Sequence, residues 1–150
     1  MADEKPIEIK IDNKEVLTRL QELASRGENL RPLMKNIAGI MATATEDNFK
    51  DEGRPDKWVD LSETTKKQRQ KNGKYPGQIL QVSGQLASSV STAYDDNSAV
   101  IGSNLAYAAI HQLGGQAGKN KKTTISARPY LKLTDDENIE ILEAIEDFFK

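Results

Sequence analysis

The chain has 150 residues, 37% of them hydrophobic and 29% charged, with no Cys and a formal net charge of -2. That length suits one domain with a real core. The missing thiols exclude disulfides and thiolate metal sites, and no stretch approaches the ~18 apolar residues of a membrane span. Charge is segregated: residues 54–132 hold twelve Lys and Arg against five Asp and Glu, and the remainder hold nine against eighteen. Either one copy's basic surface pairs with a neighbour's acidic one, or both are solvated faces of a single monomer.

Met1 to Pro6 is polar with no apolar run behind it, so no secretory signal is expected and a soluble intracellular product is. Ile7, Ile9 and Ile11 alternate with Glu8 and Lys10, the period-two pattern of a half-buried strand. Asp12 with Glu15 three residues on predicts a capping box, followed by an apolar stripe of Val16, Leu17, Leu20, Leu23 and Ala24 that Gly27 ends. A second helix opens at Asn29, with Pro32 tolerated in its first turn. Leu33, Ile37, Ile40, Met41, Ala44 and Phe49 keep helical spacing as far as Asp51, and Gly53 stops it.

Between 53 and 78 glycines and prolines break regular structure. Lys66, Lys67, Arg69, Lys71 and Lys74 crowd a short helix expected over 62–71, with Trp58 and Leu61 as its anchors to the core. Ser83 is positioned to cap a short helix through Ala87. Val90, Thr92 and Tyr94, then Asp95-Asp96-Asn97, then Ala99, Val100 and Ile101 predict a hairpin. A helix over 105–113 follows, capped by Asn104, stopped by Gly114, and burying Ala106, Ala109, Ile110 and Leu113 on one face. Residues 114–124, with three glycines and the lysines Lys119, Lys121 and Lys122, read as an exposed, mobile loop. Arg128 before Pro129 is pushed toward extended backbone. Thr134 and Glu137 form a second capping box, and Ile139, Leu142, Ile145, Phe148 and Phe149 line the last helix.

Strands near the start and in the hairpin, with helices at both ends, give an α+β class: a small antiparallel sheet with two or three long helices packed on it, plus long basic loops. No βαβ alternation points to a nucleotide-binding sheet. One domain is expected over 1–150, with mobile loops near 66–78 and 114–124.

Catalytic machinery is not visible. His111 is the sole histidine and lacks the partners of an ordinary zinc site. Its ordinary pKa would suit a general base, yet no activated nucleophile accompanies it, and a structural or interface role fits better. The acidic residues of 135–147 read as a helix start and its solvated face, and Gly114 to Gly118 lacks a phosphate-loop context. Catalytic, metal-binding and cofactor-binding residues are therefore not expected. Lys66, Lys67, Arg69, Lys71, Lys74, Lys119, Lys121 and Lys122 are the candidate contacts for DNA or a protein partner, with Tyr75 available to stack. A pI of about 5.5 weighs against a dedicated nucleic-acid binder. Basic loops of this kind order against a partner when it arrives.

Four runs carry a resemblance. They are Gly53-Arg54-Pro55-Asp56-Lys57-Trp58-Val59-Asp60-Leu61-Ser62, Ile79 to Leu86, Asn104 to Gly115, and Ala127-Arg128-Pro129-Tyr130-Leu131. In this order they resemble the phage virion morphogenesis family, the tail completion proteins of Mu-like phages and prophages, over roughly residues 45–135. The matching positions are Gly53, Pro55, Trp58, Leu61, Ser62 and Thr65, then Leu80, Gly84 and Leu86. Gly102, Tyr107, Ala108, His111, Gln112 and Gly114 match the third run, and Ala127, Arg128, Pro129 and Leu131 the fourth. Tyr130 and Ser83 depart from the commoner Phe and Thr.

The resemblance implies a non-enzymatic α+β protein of the virion tail or neck, assembled in the bacterial host cytoplasm, which completes the tail or joins it to the head. It implies a homo-oligomeric ring with other tail or neck proteins as partners, no membrane and no cofactor. The alternative is a connector module touching DNA through its basic loops. Trp58, Leu61, Gly84, Leu86, Tyr107, His111, Gln112, Gly114, Arg128 and Pro129 are the expected fold or interface positions. Tyr130 is expected to reach the surface with its hydroxyl, and Arg128 to face an acidic patch across a subunit boundary.

Overall fold

A computed structural model describes residues 7–8 and 13–149. Helix α1 (Lys14–Ser25) starts where Asn13 takes extended backbone and its side chain accepts the Val16 N–H at 3.2 Å. The cap is thus one residue later than the Asp12 expectation, since the residue that leaves helical geometry, and not the stronger charge, does the capping. Asp12, Ile9 and Ile11 lie outside the described residues. Helix α2 (Arg31–Lys50) is the longest. Asn29 accepts the Arg31 N–H at 3.2 Å from just ahead of it, and Pro32 stands in the first turn, where an N–H has no helical partner.

The sheet is antiparallel with order β1-β3-β2. Strands β2 (Ser91–Tyr94) and β3 (Ala99–Ser103) form the hairpin expected from the alternation, in the register Ser91 opposite Gly102 and Tyr94 opposite Ala99. Its turn is tied by Asp95, whose carboxylate accepts the Asn97 and Ser98 N–H groups at 2.8 and 2.7 Å. Those bonds, the Asn97 one first, hold its pKa below the usual carboxylate range. β1 (Ile7–Glu8) adds to the other edge of β3. α2 crosses the β2–β3 pair, α6 (Asp135–Phe149) packs with α2, and α1 packs with α6.

Two apolar clusters share α2. Leu23, Leu33, Ile37, Ile141 and Ile145 fill the space among α1, α2 and α6. Phe49, near the end of α2, belongs to the second cluster with Trp58, Ile79, Leu86, Ala108, Tyr130 and Leu131. Full burial of such side chains contributes ~1.5–3 kcal/mol each, so the second cluster immobilises the irregular region 53–82.

Several boundaries and faces differ from expectation. α3 (Glu63–Lys71) falls within the expected 62–71, and Ser62 caps it, its side chain accepting the Thr65 N–H. α4 (Gln85–Ser89) begins after Gly84, at φ 72°, while the Ser83 hydroxyl accepts the Gln85 N–H at 3.3 Å. α5 (Ala108–Leu113) is shorter than predicted, and Asn104 does not cap it. Ser103 instead accepts the Leu105 N–H at 3.2 Å. α5 buries Ala108 and Gln112, whereas Ala106 and Leu113 are exposed. In α6 the buried positions are Glu137, Ile141 and Ile145, and Ile139 is exposed. Both helices are turned by a buried polar residue, which hydropathy assigns to the outside. Residues 114–124 are also not irregular. β4 (Gly115–Ala117) pairs with β5 (Thr123–Ile125) across a 3-10 turn at Lys119–Lys121. Paired backbone and a Thr124–Gln116 side-chain bond at 3.2 Å replace the apolar alternation that would have announced these strands.

Glu137 is buried because it has work on two sides: its carboxylate accepts from the Thr134 N–H at 3.2 Å and from Arg54. Removing one partner of a buried ion pair strands the other charge at a cost of ~3–5 kcal/mol. Arg54→Met is therefore expected to lower stability by about that amount in urea denaturation. Arg54→Met combined with Glu137→Leu should recover part of the loss.

Candidate functional site

The chain between β5 and α6, residues 126–134, forms a strap with no strand beside it, so side chains must satisfy its backbone. Gln112 does most of this. Its carbonyl oxygen accepts the Tyr130 and Leu131 N–H groups at 3.0 and 2.9 Å, and its amide donates to the Leu131 carbonyl at 3.0 Å. The amide of Asn48, itself fully buried, donates to the carbonyls of Tyr130 and Lys132 at 2.8 and 2.9 Å. The indole N–H of Trp58 donates to the Pro129 carbonyl at 3.1 Å. Pro129 has no N–H to satisfy, and the Arg128 N–H donates to the His111 carbonyl at 2.8 Å.

A second tier orients the first. Arg54 Nε donates to the Asn48 side-chain oxygen at 2.9 Å, which leaves the Asn48 amide pointing at the strap. Arg54 also donates to the Ala44 carbonyl at 3.1 Å and to Glu137. Tyr130 is fully buried, against the expectation of a surface hydroxyl, and that hydroxyl donates to the Ala108 carbonyl at 2.7 Å. Burial alone pushes its pKa up to about 12. Phe49 packs its ring 5.8 Å from Trp58, edge-on, and 5.3 Å from Tyr130.

The residues that carry the resemblance meet here. Trp58 and Leu86 lie in the cluster beneath the strap, with Leu61 packed against it. Gly53, at φ 109°, has room for no side chain: a Cβ would sit 2.6 Å from the Trp58 nitrogen and from the Asp56 carbonyl. Gly114, at φ 75°, brings α5 back against the strap, and a Cβ there would meet the Ala127 nitrogen at 2.9 Å. Tyr107 stacks edge-on against His111 at 5.9 Å and donates its hydroxyl to Gln85, next to Gly84, at 3.1 Å. Arg128 has partners inside the chain, donating to the Val59 and Asp60 carbonyls at 2.9 and 3.0 Å. Asn48, Arg54 and Glu137 escape a sequence reading; the one signal is that Arg54 lies within the first run and Glu137 within a capping box.

His111 holds a buried Nδ1 without a hydrogen-bond partner among the described residues. Burial, then the nearby Arg128 charge, hold its pKa below the usual histidine value. It lines neither of the two clefts, of about 380 and 370 Å³, that flank α2. The described residues contain no cluster of His, Asp and Glu that could hold a metal ion, and no helix long and apolar enough to cross a membrane.

The basic candidates divide. Lys66 pairs with Asp60 at 2.8 Å and with Glu63 at 3.5 Å, and the Asp60 bond raises its pKa. Arg69 is buried and donates to the Gln78 carbonyl at 3.0 Å, closing the 72–78 loop. Lys67, Lys71, Lys74, Lys119, Lys121 and Lys122 are exposed. Arg128, just beyond β5, donates to the Asp60 carbonyl, and Asp60 pairs with Lys66 of α3, so the root of the β4–β5 hairpin lies near the start of α3.

The family model of the phage virion morphogenesis family matches residues 11–150. Mu-like prophage FluMu G protein 2 of Haemophilus influenzae is 41% identical over 145 residues, covering 96% of each chain. FluMu G protein 1 of the same organism is 37% identical over 139 residues, 90% of this chain and 89% of that one. Putative capsid assembly protein G of Escherichia phage Mu is 33% identical over 141 residues, 91% of this chain and 90% of its own. No solved structure matches significantly.

Two outcomes follow from the strap. Gln112→Leu leaves three buried backbone groups unpaired at ~1–3 kcal/mol each, so a loss of about 3–5 kcal/mol is expected in denaturant titration, against about 1–2 for Tyr130→Phe. His111 favours its neutral form when folded, so its contribution is complete above the unfolded pKa and fades as pH falls through it. Stability should therefore decline from pH 7.5 to 5.5, and His111→Asn should flatten that decline.

Proposed function

The chain belongs to the phage virion morphogenesis family, and from that premise we propose that it completes the phage tail or joins it to the head, as one domain that forms a ring. It is a virion assembly protein by that membership. Its place in the particle, on this reading, is the tail or neck, reached by assembly in the cytoplasm of the bacterial host. It works by binding and not by catalysis.

The observation that carries the reading is where the family-matching residues lie. Trp58, Gln112, Arg128 and Pro129 meet at the strap, and their polar atoms are spent on the chain's own backbone. A catalytic family would be expected to spend matching residues on groups facing a cleft. Here they keep a scaffold in shape and leave its surface for partners. Rings suit the role, because a cylinder ends most simply in a cyclic oligomer. The relative from phage Mu bears the name of a capsid assembly protein, which fits a role at the head side of the junction as well as at the tail.

A second reading has one observation in its favour. The six exposed lysines have no acidic partner within the described chain, and Tyr75 is exposed beside Lys74. They suit contact with DNA passing through a connector, which would appear as a linear fall of log affinity against log salt.

Deleting the gene from its phage or induced prophage is expected to abolish infectious particles. Electron microscopy should then show tails of normal length beside filled heads, unjoined. Normal virions in the deletion strain would end the proposal, and short or absent tails would move the role to tail growth.

A further inference from the structure

The two exposed faces of opposite charge are complementary in more than charge. On one side, the β4–β5 hairpin carries Lys119, Lys121 and Lys122 at its turn, all exposed and none paired with an acid among the described residues. At its root Leu113 is 65% exposed. On the other side, the first turns of α6 present Asp136, Glu140 and Glu143, exposed and without a basic partner among the described residues. Ile139, 53% exposed, stands in their midst. The far end of α6 is different: Arg19 pairs with Glu146 at 2.7 Å and lies over the Phe149 ring. Among the exposed acids of α6, compensation therefore stops before Asp136, Glu140 and Glu143, while the buried Glu137 is matched by Arg54. Each face thus combines an exposed apolar residue with charges of one sign, within the acidic turns on α6 and at the root of the basic hairpin on the other, and the signs are opposite, as in a protein interface.

We propose that the hairpin of one copy docks on the first turns of α6 of the next, Leu113 against Ile139 and the three lysines against Asp136, Glu140 and Glu143. This deepens the self-assembly reading above and rests on it. The two faces are different parts of the chain, so the contact is heterologous, and repetition either closes a ring or extends a filament. Charge sets the register and speeds encounter, while the apolar pair supplies affinity that salt does not screen.

The test uses two charge-reversed full-length chains, K119E/K121E/K122E and D136K/E140K/E143K, followed by sedimentation velocity at low and physiological salt. The wild type is expected to self-associate more strongly at low salt, and each variant to raise the dissociation constant by roughly tenfold or more, the equivalent of ~1.4 kcal/mol. Mixing the two variants should restore association, since each acidic hairpin then meets a basic α6 and each basic hairpin an acidic one. Circular dichroism checks that both are folded. Should either fail to fold, Leu113→Ser and Ile139→Ser give the same reading, each weakening association with the charges intact. Unchanged association in the variants, no restoration on mixing, or a wild type monomeric at every concentration overturns the docking. A monomeric wild type that still rescues the deletion phage refutes this contact and leaves the virion role. A self-associating chain whose loss spares infectivity does the reverse.

Discussion

Everything in this fold depends on satisfying the backbone of residues 128–132 without a neighbouring strand. Buried peptide groups cost ~1–3 kcal/mol each when unpaired, and a run of chain in the core presents several at once. Neither sheet takes it in: the orders β1-β3-β2 and β4-β5 are complete without these residues. Side chains from three separate segments do it instead, Gln112 from α5, Asn48 from α2 and Trp58 from the loop between α2 and α3. Each supplies donors and acceptors in a fixed pattern, so a change of residue type is felt even where size is kept. Asn48 is fixed by Arg54, Arg54 by Glu137, and Glu137 closes the first turn of α6. Such a network is worth more complete than as a sum of pairs, and it joins the two apolar clusters through polar contacts.

That constraint also explains what a sequence reading could see. α2 and the β2–β3 hairpin were legible because their apolar spacing and the Asp95 turn act locally. So was α3, expected over 62–71 and found over Glu63–Lys71. The faces of α5 and α6 were not, since Gln112 and Glu137 count as polar until Tyr130 and Arg54 are known to meet them, from 18 and 83 residues away in sequence. The β4–β5 hairpin was hidden for the opposite reason. It buries little, so it lacks the alternation by which strands announce themselves. Among the basic candidates, Lys66 and Arg69 looked equivalent to their neighbours and differ from them only in tertiary setting: Asp60 holds one and the Gln78 carbonyl the other.

The residues matching the family and the residues fit to meet a partner are therefore largely separate sets. The first face inward at the strap. The second stand on the hairpin, on α3 and on the outer side of α6, and the isolated domain makes no internal use of them. This division leaves the outer surfaces free to change at little cost to the scaffold, because surface substitutions away from special features usually change stability by less than ~0.5 kcal/mol.

The unpaired lysines carry a further consequence. Like charges gathered at one end repel, and at physiological ionic strength the screening length of ~8 Å is comparable to their spacing on a short hairpin. A fold with no outside use for that end would gain by scattering the charge or pairing it, as Lys66 does with Asp60 in the same region. The same holds for the acidic turns of α6, which sit close to a helix N-terminus that only partly offsets them. Both strains are relieved together when one face meets the other. A contact built this way is weak for a single pair and strong once several close on one another, since each additional link becomes intramolecular. In the proposed docking, association of free subunits is therefore weak and concentration-dependent, and it tightens as links accumulate.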